Sequence, residues 1–291
     1  ATTAAGQTKL LLQQVAEADS YFVLVSPERL KSAEFREALK QLSLATPVNL
    51  AVIDEAHCVS EWGHQFRTAY LNLGKTIREN CQDRYDQPPP LLALTGTASR
   101  AVLRDVLYQL DIDEKSERSI IRPTNFNRPE LNFEVTRCDK AMEEAQLRGI
   151  LNNLPQVFGE SPQTFFMANG QETYSGLIFL TTVNGKKGVV DTQRAVQPII
   201  GNSKIFSGSA PKQLQVREDE WEVLKRKNAA TFKLNEAPVL ITTNAFGMGI
   251  DKANIRWVVH YGLPSSIESY YQEVGRAGRD GRTAHCFLIL R

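Results

Sequence analysis

The chain has 291 residues, of which 42% are hydrophobic and 23% charged. This length exceeds the usual domain of about 100–200 residues, so we expect two folded domains and exclude a disordered chain. The formal net charge of +1 gives no indication of nucleic-acid binding, so any such binding must use a local basic groove. The sequence has no apolar run near the roughly 18 residues of a membrane span and no secretion signal, and its four cysteines form no CxxC pair, which fits a reducing compartment.

Short apolar runs alternate with longer helical stretches in the first part of the chain, which is typical of parallel β/α units. The predicted strands are residues 21–25, 50–53 and 91–94, and the predicted helices are residues 34–42 and 99–110.

A second β/α series follows, with predicted strands at residues 177–180, 204–206, 239–242, 257–260 and 285–290. Between the two series, prolines interrupt residues 122–135, and the alternating LNFEV predicts an edge strand. We therefore predict an α/β fold with parallel sheets and a domain boundary near Pro123, giving domains 1–123 and 124–291. Residues 161–175 have no period and predict a loop insertion.

Two adjacent carboxylates, Asp54 and Glu55, directly follow the apolar run LAVI. Ligands of parallel sheets bind at the carboxyl ends of strands. In nucleoside triphosphatases the first acid holds Mg²⁺ through water and the next polarises the attacking water. A bare acidic pair is more often a solvated turn with an Asp N-cap, but the whole string DEAH favours the catalytic interpretation.

The string QEVGRAGRDG places Arg276 and Arg279 three residues apart, so on a helix both guanidinium groups would share one face. The planar guanidinium fork suits a phosphoryl transition state. The alternative is a solvated basic helix end that interacts with the helix dipole.

Two further strings leave predicted strands. In TGTA, Thr95 and Thr97 either relay hydrogen bonds from a nucleotide site or cap the next helix. In TTNAFGMGID, Gly247 and Gly249 permit close backbone approach to a phosphate, or else form an ordinary turn.

The string SEWGHQFRTAY carries Trp62, Phe66 and Tyr70 at four-residue spacing. Spacing alone favours a core stripe. The alternative is stacking on unpaired bases, for which His64 and Arg67 would supply polar and cationic partners.

Taken together, the strings DEAH, TGTA, SEWGHQFR, NAFGMGID and QEVGRAGRDG occur in the order found in superfamily 2 helicases, and their wording resembles the RecQ family closely. VSPERL and FNRPEL, at residues 25–30 and 126–131, resemble that family too. The resemblance implies two RecA-like domains with ATP in the cleft between them. It also implies translocation 3′ to 5′ on single-stranded DNA and an action on duplex DNA.

Residue roles follow from the resemblance, position by position. Asp54 and Glu55 would serve Mg²⁺ and water, and His57 would couple the cleft to the second domain. Arg276, Arg279 and Gln272 would reach ATP, with Arg279 as the arginine finger. The remaining candidate contacts are, for the nucleotide, Thr95, Thr97, Gly247, Gly249 and Asp251, and, for DNA, Trp62, His64, Phe66, Arg67, Thr243 and Asn244. Spacing alone favoured a core role for the aromatic residues of this loop, whereas the resemblance implies that the loop senses DNA.

The sequence also departs from the family. It contains no GxxxxGK[ST], so the printed chain alone should bind ATP poorly, and we expect that phosphate loop upstream of Ala1. Gln65 stands where the family usually has Asp, and the string around residues 177–185 matches only loosely. The family continues past this point into a four-cysteine zinc module and often a winged helix.

Three functions therefore stay open: a helicase motor of repair or recombination, a nucleic-acid-binding module with a degenerate motor, and a remodelling ATPase of a larger complex, such as one of DNA defence. The insertion at residues 161–175 is a candidate contact for a protein partner. We expect the protein in the bacterial cytoplasm with the nucleoid, or in a eukaryotic nucleus.

Overall fold

The computed structural model describes residues 5–17, 21–60, 68–96, 98–113, 119–122, 127–246 and 251–291, with side chains from Leu10 onward. The chain divides into two compact units, Ala1–Thr124 and Asn125–Arg291. Both units contain parallel strands and helices, as predicted for an α/β protein.

In its described residues, the first unit has a parallel pair of strands and four α-helices. The strands are β1 (Ala51–Ile53) and β2 (Leu91–Ala93), and the helices are α1 (Ala5–Ala16), α2 (Ala33–Ala45), α3 (Leu73–Asn80) and α4 (Arg100–Gln109). Serine caps fix two helix starts: Ser32 Oγ accepts from Phe35 N at 3.3 Å, and Ser99 Oγ accepts from Val102 N at 3.3 Å. The predicted helices and the strands at residues 50–53 and 91–94 are confirmed.

The predicted strand at residues 21–25 is wrong. Its large side chains are exposed, with Tyr21, Phe22 and Leu24 all at least 88% accessible. No described strand pairs with this segment. Apolar composition alone cannot form a strand, because the backbone needs a neighbouring strand for its hydrogen bonds.

The second unit is built on six parallel strands, in the spatial order β3-β8-β7-β4-β6-β5. They are β3 (Leu131–Arg137), β4 (Ser175–Leu180), β5 (Ser203–Phe206), β6 (Val239–Thr243), β7 (Ile255–Tyr261) and β8 (Ala284–Leu290). Every residue of β4, β6 and β7 is buried, as continuous apolar runs predict for central strands. All five predicted strands are confirmed, and LNFEV lies in the edge strand β3, as expected.

Four helices complete this unit: α5 (Glu143–Val157), α6 (Val189–Ile200), α7 (Glu218–Lys233) and α8 (Ile267–Val274). The segment at residues 161–175 consists of turns and a short 3₁₀ helix until β4 begins. Phe165 and Phe166 of this segment are buried in the core of the unit. The insertion is therefore partly a structural element and not only a surface loop.

Candidate functional site

The carboxylates of the DEAH string lie where β1 ends. Glu55 adopts the left-handed conformation, with φ of 50°, which is uncommon for a residue other than glycine. Its backbone N–H donates to Asp54 Oδ1 at 2.9 Å. Asp54 is exposed and the Glu55 side chain is 42% accessible, so both acids can reach a ligand at the carboxyl end of the strand pair.

His57 joins the DEAH string to the TGTA string. Its Nδ1 lies 3.0 Å from Thr95 Oγ1 and 3.3 Å from Glu55 Oε2, although the residue is only 5% exposed. The backbone supports this contact, because Ala56 N donates to Leu94 O at 2.8 Å. The two strings, 38 residues apart between His57 and Thr95, thus form one polar cluster in the first unit.

Only one aromatic residue of the SEWGHQFRTAY string is described. Tyr70 is 8% exposed and its hydroxyl donates to Asp54 O at 3.4 Å, so Tyr70 agrees with the core interpretation. Several predicted site residues lie outside the described residues: Trp62, His64, Phe66, Arg67, Thr97, Gly247 and Gly249. The sensor role of the loop therefore stays a prediction.

The predicted helical placement of Arg276 and Arg279 is wrong. Helix α8 ends at Val274, and residues 275–280 form consecutive turns. Gly278, with φ of 63°, sits in the left-handed region, which interrupts helical backbone. The two arginines consequently differ: Arg276 is 6% exposed, whereas the Arg279 side chain is 38% accessible and its Nη1 lies 3.1 Å from Asp251 Oδ1.

The turn that carries Arg279, residues 275–282, is tied to two neighbouring segments, the residues before β3 and the start of β7. Arg128 Nη2 donates to Ala277 O at 3.1 Å, and Gly278 N donates to Ile255 O at 3.0 Å. Arg256 binds Asp280 by an ion pair. Burial raises the pKa of Asp280, but hydrogen bonds from Arg256 and from the Arg282 backbone outweigh it and leave that pKa below its ordinary value. The turn is therefore held in place before any ligand binds.

The remaining predicted contacts of the second unit have different surroundings. Gln272 is half-buried on α8, and Asn244 is exposed. Thr243 is 5% exposed, and its hydroxyl accepts from Ala245 N at 3.4 Å. Of the pair predicted to touch DNA, the Asn244 side chain is therefore the more accessible.

Two buried polar contacts were missed by the sequence analysis. His260 Nε2 lies 2.7 Å from Glu273 Oε2, and the imidazole stacks on Phe179. Lys252 is 5% exposed, and its ammonium donates to Asn235 Oδ1. For His260, a polar residue inside the apolar run WVVHY was the available signal, but its partner Glu273 lies 13 residues away. No such signal marked Lys252, which stands among polar residues. Among the described residues, no group of three or more His, Cys, Asp or Glu side chains is placed to hold a metal ion.

Comparison with known proteins shows which helicases the chain resembles. Residues 215–281 match the sequence profile of the helicase conserved C-terminal domain. The chain is 34% identical over 269 residues to the ATP-dependent DNA helicase RecQ of Bacillus subtilis (strain 168), across 91% of this chain and 37% of that protein. Over about nine tenths of its length, this chain is similar to RecQ-type ATP-dependent DNA helicases. The chain spans less than half the length of the curated RecQ-type relatives that it matches.

Two solved structures show the fold of this chain. Mss116p bound to single-stranded RNA and AMP-PNP is 16% identical with a TM-score of 0.64, over 97% of this chain and 50% of that one. The helicase Lhr of Mycobacterium smegmatis, bound to single-stranded DNA and AMP-PNP, is 14% identical with a TM-score of 0.59, over 99% of this chain and 33% of that one. The predicted RecA-like α/β fold is confirmed. Within the described residues, every helix is too short or too polar to cross a membrane.

Proposed function

We propose that this chain is the motor part of an ATP-dependent DNA helicase of the RecQ family, which moves 3′ to 5′ on single-stranded DNA and separates duplex DNA. The observation that carries the proposal is the polar cluster at the end of β1, where Glu55 and Thr95 share His57. The name of the Bacillus subtilis relative agrees with ATP-driven action on DNA. Retention of both carboxylates and both arginines favours the motor over a degenerate binding module and over a remodelling ATPase of a larger complex.

The chemistry assigned to the cluster is positioning and charge stabilisation. Mg²⁺ with its waters would be held by Asp54, whose exposed carboxylate suits a cation that binds one or two protein carboxylates and the substrate phosphates, and it would neutralise phosphate charge. Glu55 would orient and polarise the attacking water. His57 would report the state of Glu55 to Thr95, because its Nδ1 touches both side chains. Arg279 would stabilise charge on the phosphoryl group as it leaves.

The decisive substitution is Glu55→Gln, tested in the intact gene product. The amide keeps the size of the side chain but is a poor base, so turnover with single-stranded DNA should fall by about a hundredfold or more while ATP and Mg²⁺ still bind. Steady-state ATPase assays and nucleotide-binding titrations measure the two effects. Glu37→Gln, an exposed change on α2, is the matched control. A Glu55→Gln protein with near wild-type turnover would remove Glu55 from catalysis.

A second substitution distinguishes a catalytic role of Arg279 as arginine finger from a purely structural role. Arg279→Ala should lower kcat far more than ATP affinity, because its charge acts mainly in the transition state, and Arg279→Lys should restore little. Melting temperature is measured beside kcat. Loss of stability with normal specific activity would favour a structural role.

The aromatic loop is tested with Trp62→Ala. As a DNA sensor, Trp62 contributes a stacking contact of about 1–3 kcal/mol, so basal ATPase should persist while stimulation by single-stranded DNA collapses. A buried core Trp would instead cost roughly 3–5 kcal/mol of stability. A large melting shift with unchanged stimulation would exclude the sensor.

We also propose a protein partner at residues 161–175, since Met167 of this segment is 58% exposed beside the buried Phe165 and Phe166. Met167→Glu should weaken capture of that partner by the intact protein without changing ATPase.

Action on DNA further implies residence with the nucleoid in a bacterial cytoplasm, or in a eukaryotic nucleus. The four free cysteines agree with a reducing compartment, and imaging of a fluorescent fusion tests the assignment.

A further inference from the structure

Lys252 is a buried cation next to the partner of Arg279. Its residue is 5% exposed and directly follows Asp251. The ammonium donates to Asn235 Oδ1 and lies 3.5 Å from Lys233 O, and it sits 5.1 Å from the ring centroid of Phe232. These neighbours are an amide, a backbone carbonyl and an aromatic face, so the charge is held by neutral groups at the C-terminal end of α7.

Asn235 collects several donors on one oxygen. Besides Lys252, its Oδ1 accepts from Asn254 Nδ2 at 2.9 Å and from Ser175 Oγ at 3.3 Å. Asn254 Nδ2 also donates to Thr173 O at 3.0 Å. Because Lys252 and Asn254 are tied to the same amide, the backbone between them is fixed against the end of α7 and the start of β4.

The ion pair between Asp251 and Arg279 is too exposed to hold the Arg279 side chain in one place by itself. The Asp251 side chain is 88% accessible and the Arg279 side chain 38%. Exposed ion pairs contribute about 0–1 kcal/mol, because both side chains lose freedom and water screens them. An exposed carboxylate can hold an arginine in one place only if its own backbone is fixed.

We propose that Lys252 is a positioning residue, which anchors the backbone of Asp251 through Asn235 and so keeps Asp251 paired with Arg279. Its catalytic consequence rests on the proposed role of Arg279 in ATP hydrolysis. Burial lowers the pKa of Lys252 to about 8, so the fold retains a cation at a site that disfavours charge. An apolar side chain of similar length would fill the space without the anchor.

The direct test is the reactivity of Arg279 in the intact protein without nucleotide. Phenylglyoxal modifies exposed, unpaired guanidinium groups, and peptide mass spectrometry gives the rate at each arginine. Lys252→Met keeps the length of the side chain but removes its donors, so we expect Arg279 to react several-fold faster. Asp251→Asn should have the same effect, and the double variant should add little to either single change, because all three act on one contact.

Lys225→Met is the matched control. Lys225 lies on α7 and is also a poorly accessible cation over an aromatic ring, with Nζ 5.7 Å from the Phe206 centroid, but its partner is Glu222. The control should leave the Arg279 rate unchanged. Asn235→Gly provides a second variant if Lys252→Met folds poorly, because Asn235 has φ of 63°, which glycine adopts without strain. It removes the acceptor and should also accelerate Arg279 labelling.

Two outcomes would overturn the proposal. One is a wild-type rate of Arg279 labelling in folded Lys252→Met or Asn235→Gly, and the other is a double variant in which the rate increases of Lys252→Met and Asp251→Asn combine in full. Steady-state kinetics then give the catalytic consequence. Lys252→Met should lower kcat about tenfold, with the KM for ATP changed less than twofold. Faster Arg279 labelling in Lys252→Met, together with a normal kcat in both Lys252→Met and Arg279→Ala, would retain Lys252 as the anchor and reject the finger role of Arg279. This outcome separates the two hypotheses.

Discussion

Gly278 shows how one residue shapes the turn that carries Arg279. Its φ is 63°, and a Cβ at this position would lie 2.9 Å from Glu130 Cγ and 3.1 Å from Arg282 O. Gly281, three residues later, also has positive φ, but nothing lies within 4 Å of its Cβ position. The two glycines therefore separate backbone strain from steric crowding.

We expect Gly278→Ala to lower the free energy of unfolding by more than the roughly 1–2 kcal/mol of left-handed strain alone. Gly281→Ala should show only that strain. Thermal or urea unfolding of both variants measures the difference, and equal losses would mean that the neighbours of Gly278 move aside.

Lys252 gives a dependence of stability on pH. Its pKa is lowered from 10.5 to about 8 by burial, so the unfolded chain binds more protons than the native chain between these values. Stability from this group is therefore reduced below about pH 8 and increases as the pH rises toward 10.5. Relative to wild type, Lys252→Met should lose this upward trend in the free energy of unfolding. Parallel pH profiles would contradict a buried titrating lysine.

Asp54, Glu55 and Arg279 were singled out because the strings that carry them resemble helicase motifs, and their catalytic roles stay predictions. The bond between Lys252 and Asn235, by contrast, joins residues 17 positions apart, one just after α7 and the other in the segment before β7. Such a contact depends on how the end of α7 meets the segment before β7, which no local pattern encodes.

At the scale of elements, the central strands were predictable because both of their faces are buried and their apolar runs are continuous. The segment at residues 21–25 has similar composition but no described strand beside it. The end of α8 was mispredicted for another reason: glycines on both sides of Arg276 permit turns as well as helix, and the packing of Gly278 against Glu130 selects the turn.

Helix α8 offers an element-scale test at its N-cap, Ser266. Ser266 Oγ accepts from Ser269 N at 3.0 Å and satisfies a backbone donor that the helix leaves open. Ser266→Ala should cost about 1 kcal/mol, measured as a lower midpoint of urea unfolding. Ser265→Ala, which lies outside the cap and is exposed, is the control, and equal midpoints for the two variants would argue against the cap.

At the scale of the whole molecule, the cores control thiol chemistry. Burial raises the pKa of Cys286 to about 12 and also raises that of Cys81, and Cys58 is buried as well, whereas Cys138 is half-buried. Since the thiolate is the reactive form, iodoacetamide at pH 8 should modify Cys138 first. Mass spectrometry of the native protein checks the order. Rapid modification of Cys286 would mean that the second unit opens readily.

The edge position of β3 has a consequence for synthesis on the ribosome. Strand β3 is the first strand of the second unit, and it pairs with β8, the last strand, about 150 residues later. Strand β7 also needs β8 to cover one of its edges. Until Leu290 has left the exit tunnel, two strands lack a neighbour, and closing so long a loop is slow. During this interval the nascent chain exposes unpaired strand edges of β3 and β7 that could pair with other chains, so a chaperone is most useful at this stage.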